Sequence, residues 1–429
     1  MIGGATRLAR GSACAALLVA LLSSSRCAFV DTYIASEKRE VYRFDHPFDT
    51  ENPAFRRSMD TFGNLMVGGN SAELLKNGDE IFPAMLGAIR EAKASVNLES
   101  YIFRADGAGR QFADALIDAA KRGVEVRVLL DGSGGKAGKL FDEMKGAGVE
   151  IKIYRPIRLW TVHRIGKRTH RKILVVDGTK CYTGGVGIDE RWLGNGDSPN
   201  HWRDTQVAAT GPVAAQMQAI FAEDWTYTTG EILAGDKQYP KIAPAGDVQA
   251  QAIKISRGDS SSLAKMLYYV AIQSATKSIR IQNAYFLPDR QVRDALVHAV
   301  ERGVDVQVMV PGPQIDIPLV RLASRGHWGD MLKGGVKIYE YMPAMFHNKV
   351  VVVDGIFSTI GSINFDARSM TKNAEESLAF YDRALAAKME EMFEEDKKRC
   401  REITYERWKR RGFGAKFGES FSWLWEPLY

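Results

Sequence analysis

The sequence runs through one order of segments twice, and this duplication narrows the accessible folds more than any other feature. AKASVNLESYIF (92–103) returns as ATKSIRIQNAYF (275–286), each a strand-like segment that follows an amphipathic helix. FADALIDAAKRGVEVRVLLDG (112–132) returns as VRDALVHAVERGVDVQVMVPG (292–312). Both read as a helix closed by Gly123 or Gly303, then a buried strand ending at a turn. GAGVEIKIY (146–154) and THRKILVVDG (169–178) have partners in KGGVKIYEY (333–341) and FHNKVVVVDG (346–355). The offset stays near 180 residues: 183 for Ser95/Ser278, 180 for Val124/Val304 and 177 for His170/His347. A general α/β bias does not keep matching segments in order, and helices alternating with strands imply mixed sheets covered by helices. The expectation is an α/β chain of two similar halves, each a mixed sheet flanked by helices, related by a pseudo-twofold with one shared site. Two independent domains are the competing arrangement.

The last repeated segment carries chemistry. The chain has seven histidines. With Lys and Asp each at roughly 6% of positions, a given histidine heads His-x-Lys-x4-Asp by accident about 1 time in 250. Two accidental hits would be on the order of a few in ten thousand, so the pair His170, Lys172, Asp177 and His347, Lys349, Asp354 is a signal. Residues two apart on a strand share a face, so each His projects with its Lys. The apolar runs ILVV and VVVV bury the strand, and the Asp marks its exit into a turn. Small residues follow at a fixed distance, Gly184-Gly185 and Gly361-Ser362, where backbone N–H groups can approach a phosphate; Ser362 adds a hydroxyl and Asn364 an amide. A lysine beside each histidine repels a cation, and two lysines supply the charge a Mg²⁺ would bring, so neither metal nor cofactor is expected. His46, His163, His201, His298 and His327 read as structural or surface residues.

His-x-Lys-x4-Asp-x6-Gly-Ser-x-Asn, twice, resembles the phospholipase D superfamily. The chain is most similar to its bacterial cardiolipin synthase branch, through NLESYIFR, HWRDTQVAATGPVA, FAEDW, NAYFLPD and GSINFDARSMTKNAEE over roughly residues 71–399. The resemblance implies two phospholipase D-type halves and a phosphatidyltransferase working through a phosphohistidine. One imidazole attacks phosphorus and the other protonates the leaving alkoxide, then deprotonates the incoming hydroxyl. It gives His170 the nucleophile's role and His347 the acid's, an order that the near-symmetry leaves open. Lys172, Lys349 and Asn364 would neutralise the phosphate oxygens. Glu375 matches the family carboxylate that holds His347, and Asp204 is the equivalent candidate for His170. The motif aspartates, Asp177 and Asp354, would orient the fold and pair with basic groups. One departure stands out: Gly187 occupies the position where the first repeat should carry an amide.

The remaining segments bear on location and substrate. Arg7 and Arg10 precede the apolar run ACAALLVALL (13–22) and the small residues 23–25, the layout of a signal peptide, with a short membrane anchor as the alternative. The chain then divides into 1–28 as signal or anchor, 29–70 as an N-terminal extension and 71–235 as the first half. A linker (236–262), a second half (263–400) and a basic aromatic tail (401–429) complete it. Of four cysteines, Cys14 and Cys27 lie in the N-terminal segment, Cys181 reads as a small core residue and Cys400 has no evident mate. The formal net charge of +6 favours anionic partners without choosing among them. Basic and aromatic residues mix in 154–172 and in the C-terminal tail, with Trp408, Trp423 and Trp425. That composition suits lipid headgroups at a membrane surface, and nucleic-acid phosphates less well given the export-like N-terminus. The expected substrate is phosphatidylglycerol or a related phospholipid, with a glycerol-type alcohol or water as acceptor, in the bacterial cell envelope. A phospholipase D hydrolase, a metal-independent nuclease and an inactive membrane scaffold are the alternatives.

Overall fold

The alternating and apolar runs of both repeats form strands, and the structure joins them into one sheet. It is a computed structural model that describes residues 42–44, 48–136, 138–156, 167–256, 263–412, 416 and 419. The chain divides into two units, Met1–Arg43 and Phe44–Tyr429. The signal or anchor segment 1–28, the basic stretch around Trp160 and the tail aromatics Phe413, Phe417, Phe421, Trp423, Leu424 and Trp425 lie outside the described residues. All that follows concerns the second unit.

The first half contributes β1 (Val67–Lys76), β2 (Ser95–Ser100), β3 (Phe103–Arg104), β4 (Glu125–Asp131), β5 (Gly135–Lys136), β6 (Glu150–Tyr154), β7 (Ile173–Val176), β8 (Lys180–Gly184) and β9 (Thr205–Thr210). The second contributes β10 (Val248–Ile255), β11 (Ser278–Asn283), β12 (Asp305–Pro311), β13 (Lys337–Tyr341), β14 (Lys349–Val353), β15 (Phe357–Gly361), β16 (Glu375–Tyr381) and β17 (Cys400–Ile403). Apart from the small β3–β5 pair, they form a 15-stranded sheet in the order β17-β13-β12-β11-β14-β15-β16-β10-β1-β9-β8-β7-β2-β4-β6. Leaving out β17, the order is a palindrome about the β1–β10 seam. On each side three parallel strands (β2, β4, β6 or β11, β12, β13) adjoin four antiparallel ones. β10 lies in the stretch 236–262 expected to be a linker, and it pairs with both β1 and β16.

Helices cover the sheet as the repeat implied. Asp106, Asp289 and Asp382 cap the helices Gly107–Lys121, Arg290–Glu301 and Arg383–Lys397 by accepting a backbone N–H. Gly123 and Gly303 follow two of these with positive φ, the left-handed turn that glycine adopts without strain. Each half has its own apolar cluster under its repeated helices. A third cluster is shared: Ile173, Val175, Phe221 and Trp225 from the first half pack in the same core as Val350, Val352, Phe380 and Met389 from the second. That common core, with the continuous sheet, excludes two independent domains. Cys181 is buried within it, and both Cys181 and Cys400 are free thiols.

The motif aspartates prove to be fold determinants. Asp177 and Asp354 sit at the exits of β7 and β14 with φ of 51° and 54°, left-handed positions that Asp tolerates better than most side chains. Asp177 accepts the backbone N–H groups of Lys93, Ala94 and Ser95 at 2.7–3.1 Å. Asp354 accepts those of Thr276, Lys277 and Ser278, with the Thr50 hydroxyl at 2.7 Å. The resemblance implied basic partners; the structure supplies backbone amides, pinning the entry of β2 and β11 to the end of the motif strand. Each Asp→Ala variant orphans three donors and is expected to lower unfolding free energy by about 2 kcal/mol or more. Urea denaturation checks this, with Asp354→Ala the more damaging because it also releases Thr50.

Candidate active site

The lead-in to each motif strand is hung on the opposite half. Thr169 bridges Ala374, the residue before β16; the His170 N–H donates to the Ala374 carbonyl and the Ala374 N–H to that of Arg168, both at 2.8 Å. In the pseudo-symmetric place Phe346 bridges Arg203; the His347 N–H donates to the Arg203 carbonyl and the Arg203 N–H to that of Met345, again at 2.8 Å. Lys172, just before β7, and Lys349, at the start of β14, enter the same site. The x4 spacing is the length of the buried strand. It sets Asp177 and Asp354 roughly 16 Å from the lysines, so neither aspartate reaches the histidines.

Both imidazoles are oriented from across the seam. His170 Nδ1 lies 2.8 Å from Glu375 Oε2, and His347 Nδ1 lies 2.9 Å from Asp204 Oδ2. This reverses the expected assignment, in which each half's carboxylate served its own histidine: β9 and β16 begin at the seam, so their leading carboxylates point over it. An ionised carboxylate only accepts, so Nδ1 carries the proton and Nε2 is left with its lone pair. All four side chains of these pairs are largely or wholly buried. Burial lowers His170 to about 4, with Glu375 opposing and Lys172 reinforcing the shift. Burial, reinforced by Lys349, lowers His347 to about 3. Both rings are therefore neutral near pH 7.

The lysines concentrate positive charge here. Lys172 Nζ donates to the His170 carbonyl and Lys349 Nζ to that of His347, each at 2.7 Å. Lys349 Nζ is also 3.0 Å from His347 Nε2 and 3.1 Å from Nδ1, near-equal distances that set the ammonium against the face of the ring. Burial takes Lys349 down to about 7, with Asp204 opposing, and it lowers Lys172 as well. Each lysine also acts electrostatically on the other half's histidine, so the two motifs form one site. Among the described residues no group of three or more His, Cys, Asp and Glu is arranged to hold a metal ion.

The small residues serve the carboxylates. A Cβ on Gly185 would fall 2.3 Å from Asp204 Oδ1, so glycine makes room for that carboxylate. Ser362, at the equivalent place, donates to Glu375 Oε2 at 2.5 Å; its hydroxyl is therefore engaged with Glu375, where the sequence suggested a phosphate donor. Asn364 is buried, and its side-chain oxygen has no hydrogen-bond partner among the described residues. The Gly187 departure also has a structural reason. A Cβ there would stand 3.1 Å from Ile102 Cβ and from the Trp192 ring, leaving no space for an amide. Trp192 fills that volume and donates its indole N–H to Asp204 Oδ2 at 2.9 Å.

Two residues escaped the sequence reading. Trp192 obeys no motif spacing. Glu376 follows Glu375 on a strand, where alternation should send it to the other face, yet both are fully buried. Glu376 accepts the Lys172 N–H at 3.1 Å and the Thr183 hydroxyl at 2.7 Å. Burial pushes its carboxyl up to about 7, Lys172 opposing.

Two histidines oriented by crossed carboxylates, with a lysine beside each, on a duplicated α/β sheet, define a phospholipase D-type phosphoryl-transfer site. Residues 85–225 and 268–397 match the family described as "Cardiolipin synthase, PLD-like domain". The cardiolipin synthase of Geobacillus kaustophilus is 36% identical over 360 residues, 83% of this chain and 72% of that protein. The major cardiolipin synthase ClsA of Bacillus subtilis is 33% identical over 364 residues, 84% of this chain and 75% of that protein. The crystal structure of a phosphatidylserine synthase from Haemophilus influenzae shares the fold, with TM-score 0.68 at 14% identity, covering 89% of this chain and all of that one. The chain belongs to the phospholipase D superfamily, in its cardiolipin synthase family of phosphatidyltransferase enzymes.

The crossed pairing has a spectroscopic test. Glu375→Gln is expected to abolish the low-field Nδ1 proton resonance of His170 and leave that of His347 in place, with Asp204→Asn doing the reverse. Histidine-labelled NMR, assigned with the two His→Ala variants, reads this; loss within the same half would restore the original pairing.

Proposed function

We propose that this protein transfers a phosphatidyl group from phosphatidylglycerol, or a related phospholipid, to a glycerol-type alcohol through a phosphohistidine on His170. The observation that carries this reading is the pair of neutral, carboxylate-oriented imidazoles flanked by two buried lysines in one site. His170 Nε2 attacks phosphorus, the bond from phosphorus to the headgroup oxygen breaks, and the departing alkoxide takes a proton from His347. The acceptor hydroxyl then gives its proton to His347 and attacks phosphorus as the P–N bond breaks, restoring both rings. Lys172, Lys349 and the Asn364 amide would face the phosphate oxygens as charge develops. The anionic phosphodiester, by countering the two ammonium groups, raises His347 toward the protonated form that the acid requires.

The lipid reading is favoured by the cardiolipin synthase relatives and by a basic cavity. Arg325, Arg401, Arg407 and Arg411 line it beside Trp408. Their partners among the described residues are two carboxylates: Arg325 and Arg401 pair with Glu340, and Arg325 and Arg411 with Glu419. Surplus guanidinium beside a tryptophan suits an anionic lipid surface. Among the described residues no helix is long and apolar enough to cross a membrane. Placement at the membrane surface of the cell envelope is part of the proposal.

Incubating the purified chain with phosphatidylglycerol vesicles is expected to yield cardiolipin and glycerol, with His170→Ala and His347→Ala each lowering the rate by roughly 10³-fold or more. Phosphatidic acid as the sole product would make the enzyme a hydrolase, and nucleic-acid cleavage in EDTA lost with His170→Ala would make it a nuclease. The rate should rise with pH as His170 loses its proton near 4 and fall as Lys349 discharges near 7. Lys349→Arg, which stays charged, should move the alkaline limb upward in whatever activity it retains.

A further inference from the structure

The two histidines have different surroundings. Among the described residues His170 has one ring neighbour, Tyr101, at 5.2 Å between centroids. His347 has three: Trp202 at 5.3 Å, Trp192 at 5.5 Å and Tyr285 at 6.3 Å. Tyr285 stands where the first repeat has Ile102, and Tyr101 where the second has Ala284, so the two rings approach their histidines from different places in the repeat. Only Tyr285 is tied to a carboxylate: its hydroxyl donates to Asp316, 2.9 and 2.8 Å from the two oxygens.

Asp316 is held in place while facing solvent. Its neighbour Ile315 is buried in the first half's apolar cluster together with Val320 and Ala323, so this second-half segment is anchored across the seam. Asp316 itself is exposed, although the protein packed around its carboxyl raises it above the usual range, with the Tyr285 hydroxyl and Lys349 opposing. It lies within electrostatic reach of Lys349 and of Arg191, whose guanidinium stacks over the Trp202 ring at 4.5 Å and pairs with Asp189. Tyr285 thus links a solvent-facing carboxylate to the ring that handles the alcohol's proton, and among the described residues Tyr101 beside His170 has no such carboxylate.

A carboxylate with lone pairs open to solvent is a receptor for adjacent hydroxyl groups, which donate to it together as a monohydric alcohol or water cannot. We propose that Asp316, set by Tyr285, binds the non-reacting hydroxyls of a polyol beside His347, and so selects glycerol or a glycerol headgroup over monohydric alcohols and water. The inference rests on the transfer reading above. One hydroxyl of the polyol loses its proton to His347 as it attacks the phosphohistidine, while its neighbour donates to Asp316. In the first half-reaction the same place receives the departing glycerol.

The test compares two acceptors on the full chain, with phosphatidylglycerol vesicles as donor: isotopically labelled glycerol, read as label entering phosphatidylglycerol, and ethanol, read as phosphatidylethanol. Asp316→Asn is expected to raise KM for glycerol about tenfold with kcat largely kept, the loss of one charge-assisted hydrogen bond. Because the donor's headgroup leaves through the same place, selection is read from one mixture of both alcohols, where the ratio of labelled phosphatidylglycerol to phosphatidylethanol should fall about tenfold and the share of phosphatidic acid from water should rise. Tyr285→Phe should shift KM for glycerol the same way by a smaller factor, which keeps the inference testable if Asp316→Asn folds poorly. An unchanged product ratio from that mixture would overturn it. A wild-type enzyme that phosphatidylates neither alcohol would instead remove the transfer reading on which it rests.

Discussion

Each motif imidazole is oriented by a carboxylate that belongs to the other half of the molecule, and most of the architecture serves that exchange. Glu375 and Asp204 reach over because β16 and β9 start at the seam, and backbone bridges at Ala374 and Arg203 hold the lead-ins of β7 and β14 beside them. The buried pairing of Arg203 with Asp396 and of Arg171 with Asp224 fixes these lead-ins from behind. A buried histidine without its acceptor would be free to turn, and neither proton would sit where transfer needs it.

The pseudo-symmetry is strict in the backbone and relaxed in the side chains. Glu375 is steadied by the Ser362 hydroxyl and Asp204 by the Trp192 indole, two solutions to one requirement for a second donor. Trp192 takes the volume that an amide at position 187 would need, so Gly187 is the counterpart of a gained tryptophan and leaves the carboxylate fully supported. Trp192 is also one of the three rings around His347, which helps make the half-sites chemically distinct.

The repeat made much of the fold legible, because period-two runs, apolar strands and closing glycines are local features. It did not disclose β1 and β10, whose sequences VGGNSAELLK and VQAQAIKI mix polar and small residues and lie beside Gly- and Pro-rich stretches. Their strand character comes chiefly from pairing with β9 and β16 and, over a short stretch, with each other, a tertiary property. Within the site, the two His-Lys pairs follow from spacing on a strand. The crossing of the carboxylates does not, since a motif says which residue types are needed and nothing about which half supplies them. Thr50 was equally hidden: its bond to Asp354 spans 304 positions of sequence.

The seam at β1 and β10 is narrow, with a register shift between Val67 and Asn70 where the strands part from regular pairing. Each imidazole–carboxylate pair has one member on either side of this line. Both pairs therefore depend on one relative placement of the halves, and the shared core that fixes this placement sets both histidines at once.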